Sequence, residues 1–183
     1  MSDIEPIIKL NLGCGNARIP GFINVDIREH IKPDIVDDIA ILEKFLPDSV
    51  DLIYASHVLE HIRRTTYMDV LKRWYDLIKV GGTLRIAVPD FEAVVNRYNE
   101  TKDVAALIGF LYGKQDHPFN VHYYCWDFKS LKNDLEIVGF KNVRRYDWRE
   151  TEHADIDDYS QSYLPHMQKE TGVLMSLNVE GIK

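Results

Sequence analysis

Four of the seven histidines sit where they could move a proton: His57 and His61 in "SHVLEH", His122 in "NVHYYCWDF" and His166 in "SYLPHM". An imidazole titrates near neutral pH and suits a general base. Asp90, in "AVPDF", could bind or deprotonate an acceptor, or simply cap a helix that follows it. His57 and His61 are four residues apart and share a helical face, with Glu60 between them. Histidines so spaced can hold a metal. The zinc-protease pattern, however, places its acid beside the first histidine, and here it stands beside the second. No metal is assigned on that spacing. Tyr123, Tyr124 and Trp126, next to His122, offer either a stacking surface for a sugar ring or ordinary packing.

A second group of residues reads as a cofactor cradle. "LNLGCGNARIPGFINVD" runs an apolar segment into Gly13 and Gly15 and closes on Asp26. Glycine there tolerates positive φ and lets a ligand approach the main chain. Asp26 could accept hydrogen bonds from two ribose hydroxyls. A nicotinamide fingerprint needs a third glycine where this chain has Arg18, and its acid belongs about 20 residues on. Gly13 to Gly21 is also too short for a helix that could hold a pyrophosphate. A cofactor with a ribose but no diphosphate fits best, and S-adenosylmethionine is one.

These residues need strands to end beside them. Residues 7–12, 22–26, 35–38, 50–55 and 83–88 read as strands, the last after a Gly81-Gly82 turn. Tyr67, Val70, Leu71, Trp74 and Ile78 form the apolar face of a helix between the last two. Residues 91–101, 104–112 and 128–138 read as further helices, the last stopped by Gly139. Residues 142–148 and 173–179 read as closing strands. Strands alternating with helices imply parallel pairing and a doubly wound sheet.

"LNLGCG" with Asp26, "VDLIYASHVLEHI" and "LIKVGGTLRIAVPDF" together resemble the successive motifs of class I S-adenosylmethionine-dependent methyltransferases. The match spans roughly residues 7–90. "SHVLEH", with "NVHYYCWDF" and "SQSYLPHM", resembles a type 11-like branch associated with polysaccharide and sugar modification. The resemblance implies a Rossmann-like, doubly wound, mostly parallel seven-stranded sheet with an antiparallel C-terminal strand. It places the methionine end of the cofactor on Asn11, Gly13, Cys14 and Gly15, and the ribose on Asp26. Asp38, with Asp37 as a substitute, and the Ile39 amide would receive the adenine. Ala55, Ser56 and His57 would lie along the sulfonium, leaving S-adenosylhomocysteine as product. His57, Asp90 and His122 are the catalytic candidates. The first crossover helix is nearly absent and no helices precede the first strand, so residues 90–126 and 150–172 are expected to cover the acceptor.

The 183 residues suit one domain, residues 1–183. A net charge of −7 argues against a nucleic-acid groove, and no apolar run reaches the ~20 residues of a membrane span. Cys14 and Cys125 have no zinc-type spacing and form no disulfide framework, which suits a cytoplasmic protein with free thiols. The resulting expectation is O-methylation of a sugar, glycan precursor or other small molecule. The rivals are an N- or C-methyltransferase, a nicotinamide-dependent nucleotide-sugar oxidoreductase, and a cofactor-binding domain without catalysis. The oligomeric state is not legible.

Overall fold

The computed structural model describes residues 6–166 and 168–183. Seven strands form one sheet: β1 (Lys9–Leu12), β2 (Ile23–Asp26), β3 (Ile35–Val36), β4 (Val50–Ser56), β5 (Ile78–Pro89), β6 (Lys141–Arg145) and β9 (Ser176–Ile182). Their order is β3-β2-β1-β4-β5-β9-β6, with β9 antiparallel to both neighbours and the other pairs parallel. A separate hairpin pairs β7 (Tyr163–Leu164) with β8 (Val173–Leu174). The expected seven-stranded Rossmann-like sheet with its antiparallel C-terminal strand is what forms.

One face of the sheet is covered by helices. Val70, Leu71, Trp74 and Leu77 of α1 (Tyr67–Leu77) and Leu131 and Leu135 of α4 (Phe128–Val138) are buried against Leu10, Leu12, Val25, Ile53 and Ala55. Full burial of each such side chain contributes about 1.5–3 kcal/mol. Asp127 starts α4 with a capping box through Ser130, and Gly139 stops it.

The opposite face carries a different row. Asn24, Asn11, Tyr54, Arg85, Glu180 and Arg144 are register partners from β2 across to β6. Among the described residues, the packing on this row is not by an α-helix. The 13–22 loop and the segment after β6 pack there instead, placing Ile19, Phe22 and Ile156 on Leu52 and Tyr54. Polar groups on this face find partners: Arg85, and the exposed Arg144 at the sheet edge, both pair with Glu180, and the Tyr54 hydroxyl donates to Asp158 at 2.6 Å. The segment from Thr151 to Gln161 thus forms part of the cover on this face.

Several element boundaries differ from the sequence reading. Gly81-Gly82 is no turn; β5 runs through it from Ile78, and a bulge lets Val50 pair with Ile78 but Leu52 with Thr83. Gly81 takes a φ of +85°, which the bulge needs. The third strand is only two residues long. Residues 173–179 divide between β8 and β9, because the Met175 amide turns to donate to the Ser162 carbonyl. Trp148 lies in a 3-10 turn beyond β6.

Candidate functional site

The chain leaves β1 toward β2 and β3, then returns to β4 on the other side, so strand order reverses between β1 and β4. Open sheets bind ligands at the carboxyl ends of strands beside such a reversal. Leu12 pairs with Val25 and with Ala55, which brings Gly13, Asp26 and Ser56 to one edge. Gly13 has φ +61°, and a Cβ on it would lie 2.5 Å from Val58 Cγ2. Only glycine lets the turns after β1 and β4 approach so closely.

Asp26 is nearly wholly buried, and both its oxygens are engaged. Oδ1 accepts from Arg28 N and Nε, and Oδ2 accepts from Gly15 N at 2.9 Å and Arg28 Nη2 at 3.1 Å. Burial alone would raise this carboxyl, but the hydrogen bonds from Arg28 and Gly15 hold it below its ordinary range. Arg28 went unremarked in the sequence; its one signal is a cation two residues after the strand-ending acid. Cys14 is buried, and burial, reinforced by Asp26, raises its thiol to about 11. Asn11 points to the other face, its amide donating to Ala17 O and Asn24 Oδ1, which braces the glycine loop.

Beyond β3, Asp37 Oδ1 accepts from the Asp38 amide, while its Oδ2 is buried without a hydrogen-bond partner. Asp38 Oδ1 accepts from Ala40 N, and the Ile39 carbonyl accepts from Trp74 Nε1. At the end of β4, Ser56 Oγ is also buried without a partner. Unpartnered buried polar atoms are uncommon in folded proteins and call for an explanation. Here two of them sit on the edge where a polar ligand would lie.

His57 follows with φ +52°, a sparsely populated conformation for a residue with a side chain. Its ring bridges two elements: Nε2 lies 3.0 Å from Ser176 Oγ and Nδ1 lies 3.2 Å from Glu60 Oε1. Asn178 Nδ2 donates to Ser160 O, so its Oδ1 accepts the Ser176 proton. Ser176 can then only accept, and the His57 Nε2 carries the hydrogen between them. Ser176 and Asn178 also went unremarked. Their signal is the polar alternation of Ser176, Asn178 and Glu180 with Leu177 and Val179.

Glu60 and His61 belong to a 3-10 turn, Leu59–His61. His122 reaches them from the segment after α3 (Ile108–Tyr112), its ring 4.8 Å from that of His61. The Tyr123 amide donates to Glu60 O and the His122 amide to Tyr112 O, which fastens the segment down. Gly113, with φ +72°, makes the sharp exit from α3; a Cβ there would meet Asn120 O at 2.6 Å. Burial pushes His61 below its ordinary value, against the pull of Glu60.

The other candidates lie further out. Asp90 caps α2 (Phe91–Thr101) through Oδ1, and its Oδ2 accepts from Arg145 at 3.1 Å. Tyr124 stacks on Tyr67, and Trp126 is buried, donating to Asp134; Tyr123 stays exposed. His166 is exposed. The two expected cover segments do meet: Val94, Leu107 and Met175 form a small core with Phe110 and Leu164. Tyr159 brings the second segment to 5.5 Å from the His57 ring. No helix among the described residues is long and apolar enough to cross a membrane.

This sheet order and its edge site define a Rossmann-like fold of the methyltransferase type. It is similar to that of a SAM-dependent methyltransferase from Archaeoglobus fulgidus, with a TM-score of 0.61 and 18% identity, covering 98% of this chain and 87% of that one. It is also similar to an S-adenosylmethionine dependent methyltransferase from Mesorhizobium loti, with a TM-score of 0.56 and 16% identity, covering 100% and 94%. No protein-family model and no curated protein matches the sequence.

Proposed function

We propose that the chain is an S-adenosylmethionine-dependent methyltransferase that methylates a hydroxyl of a sugar or glycan precursor. The observation that carries this reading is the strand-edge cradle of the Gly13–Gly15 turn, Asp26, and the unpartnered Asp37 Oδ2 and Ser56 Oγ. Its donors and acceptors suit a nucleoside with a ribose and an exocyclic amine, and nothing in it requires a diphosphate. The cofactor, when bound, supplies an activated methyl group.

In this reading Asp26 takes the ribose hydroxyls once Arg28 withdraws, since four donors already fill the carboxylate. Asp37 receives the adenine amino group, with Asp38 and the Ile39 amide beside it. The Gly13, Cys14 and Gly15 backbone, with Asn11 bracing it, holds the methionine end. Ala55, Ser56 and His57 line the sulfonium. Residues 90–126 and 150–172 hold the acceptor at the ~3–3.5 Å that in-line displacement requires.

Of the three catalytic candidates, His122 suits proton acceptance best. Its Nδ1 faces the Phe110 carbonyl at 2.9 Å and must carry the hydrogen, which leaves the Nε2 lone pair available. Both Asp90 oxygens already accept from protein donors, and His57 hydrogen-bonds Ser176 through Nε2 while its Nδ1 faces the buried Glu60 carboxylate. Exposed Tyr123 beside His122 supports a sugar ring as acceptor.

The test combines calorimetry with S-adenosylhomocysteine and NAD and a labelled-methyl assay over nucleotide sugars and oligosaccharides. We expect binding of S-adenosylhomocysteine, little affinity for NAD, and label on a hydroxyl. No affinity for S-adenosylhomocysteine would overturn the reading; label on nitrogen or carbon would overturn its O-methyl part.

A further inference from the structure

Glu60 is fully buried, and neither of its carboxylate oxygens has a hydrogen-bond partner. His57 Nδ1 approaches one of them at 3.2 Å without hydrogen-bond geometry. A buried carboxylate left this way is costly unless a cation sits beside it. His61 and His122 are its other histidine neighbours, and one ligand atom from each of the three residues lies within 4.8 Å of the others.

Both histidines are held in the form a cation needs. His61 Nδ1 faces Val121 O at 3.2 Å and His122 Nδ1 faces Phe110 O at 2.9 Å. A carbonyl oxygen can only accept, so each Nδ1 carries the hydrogen and each Nε2 keeps its lone pair. Metal-ligating histidines are oriented in this manner, by a second hydrogen bond to a backbone carbonyl.

We propose that Glu60, His61 and His122 bind a divalent first-row transition-metal ion. Two imidazoles and a carboxylate suit zinc, cobalt, manganese or iron; magnesium and calcium prefer all-oxygen sets. At metal–ligand distances of ~2.0–2.1 Å, tetrahedral ligands are ~3.4 Å apart. The widest pair here must close by about 1.4 Å from 4.8 Å for an ion to be bound. Three protein ligands leave a coordination position open. On the methyl-transfer reading, on which this last step alone rests, that position would take the acceptor oxygen and lower its pKa so that its proton passes to solvent water, with His122 holding the ion instead of acting as the base.

The full chain, stripped with chelator, is titrated with Co²⁺ followed by absorption and with Zn²⁺ and Mn²⁺ by calorimetry. One equivalent is expected to bind, with Co²⁺ giving the visible bands of a low-symmetry site. His61→Ala and His122→Ala should each weaken binding at least ~10-fold, while His30→Ala, at an exposed site, should not change it. His122→Asn keeps the test decisive if an alanine variant fails to fold. Absence of stoichiometric binding, or binding indifferent to His61 and His122, would overturn the site. S-adenosylhomocysteine affinity is read separately on the stripped protein. Cofactor binding without metal binding defeats the metal site alone, and metal binding without cofactor binding supports the site while defeating the methyltransferase reading.

Discussion

Arg28 lies across the carboxylate of Asp26, its Nε 3.0 Å from Oδ1 and its Nη2 3.1 Å from Oδ2. The guanidinium holds the strand-end acid as a ligand would, and it is the more exposed partner, so it is the one able to leave. Arg28→Ala should therefore tighten S-adenosylhomocysteine binding by roughly 2–10-fold, the equivalent of one modest ion-pair contact. The same variant should melt lower, because Asp26 stays buried with fewer donors. Weaker binding in calorimetry would instead make Arg28 a cofactor contact.

Removing the acid itself should act in the opposite direction. Asp26→Ala is expected to weaken S-adenosylhomocysteine by roughly 1.5–3 kcal/mol, the range for hydrogen bonds to a charged group. Equal affinity for wild type and variant would release Asp26 from the ribose.

His122 lies outside the cradle, and its effect should be confined to turnover. His122→Ala should leave cofactor affinity within about twofold and reduce methyl transfer at least ~10²-fold, the low end for a lost general base. The same loss follows if His122 holds a metal, and the cobalt titration separates the two. Near-normal turnover at saturating acceptor would remove His122 from the reaction.

Gly113 makes the bend that delivers residues 120–122 to the site. A Cβ there meets a backbone oxygen at 2.6 Å, and the φ of +72° is itself unfavourable for other residues. Gly113→Ala should cost about 1–3 kcal/mol of stability and impair methyl transfer through His122 while sparing cofactor affinity. An unchanged melting temperature would show that the bend relaxes without strain.

His153 supplies a pH test away from the site. Its ring is buried between Tyr54 and Phe22, and burial, then Arg85, push its value below the ordinary one. The unfolded chain takes up that proton first, so the neutral ring contributes stability above about pH 6.5 that is lost as pH falls toward the folded value. His153→Phe should reduce the drop in melting temperature between about pH 7.5 and 5.5 by ~1 °C or more, since 1 kcal/mol is about 2–4 °C at this size. An equal drop in both proteins would place the titrating group elsewhere.

Local pattern was enough for the sheet, its helices and the glycine edge. Residues 7–12 and 50–55 are short apolar runs, α1 shows its buried stripe, and Asp127 and Gly139 bracket α4. Each signal acts over a few residues, where backbone geometry and side-chain period are the same in any context. That is why "LNLGCG" and Asp26 read from sequence as two neighbouring strand ends, which the β1–β2 pairing brings to one edge.

What packs on that frame was decided only in three dimensions. Asn11 stands among the cradle residues in sequence, yet its side chain lies on the opposite face, because a strand alternates sides at every residue. Arg28 reaches Asp26 through a turn whose shape neither residue dictates. Histidine spacing within "HVLEH" gave no metal, since the third ligand atom comes from His122. That residue arrives by way of α3, Gly113 and a carbonyl at Phe110, and the His61–Val121 contact spans 60 residues of chain. Such a contact depends on long-range packing that no local period encodes, so the strand ends that carry Gly13 and Asp26 were legible from the sequence and the grouping of Glu60, His61 and His122 was left to the tertiary fold.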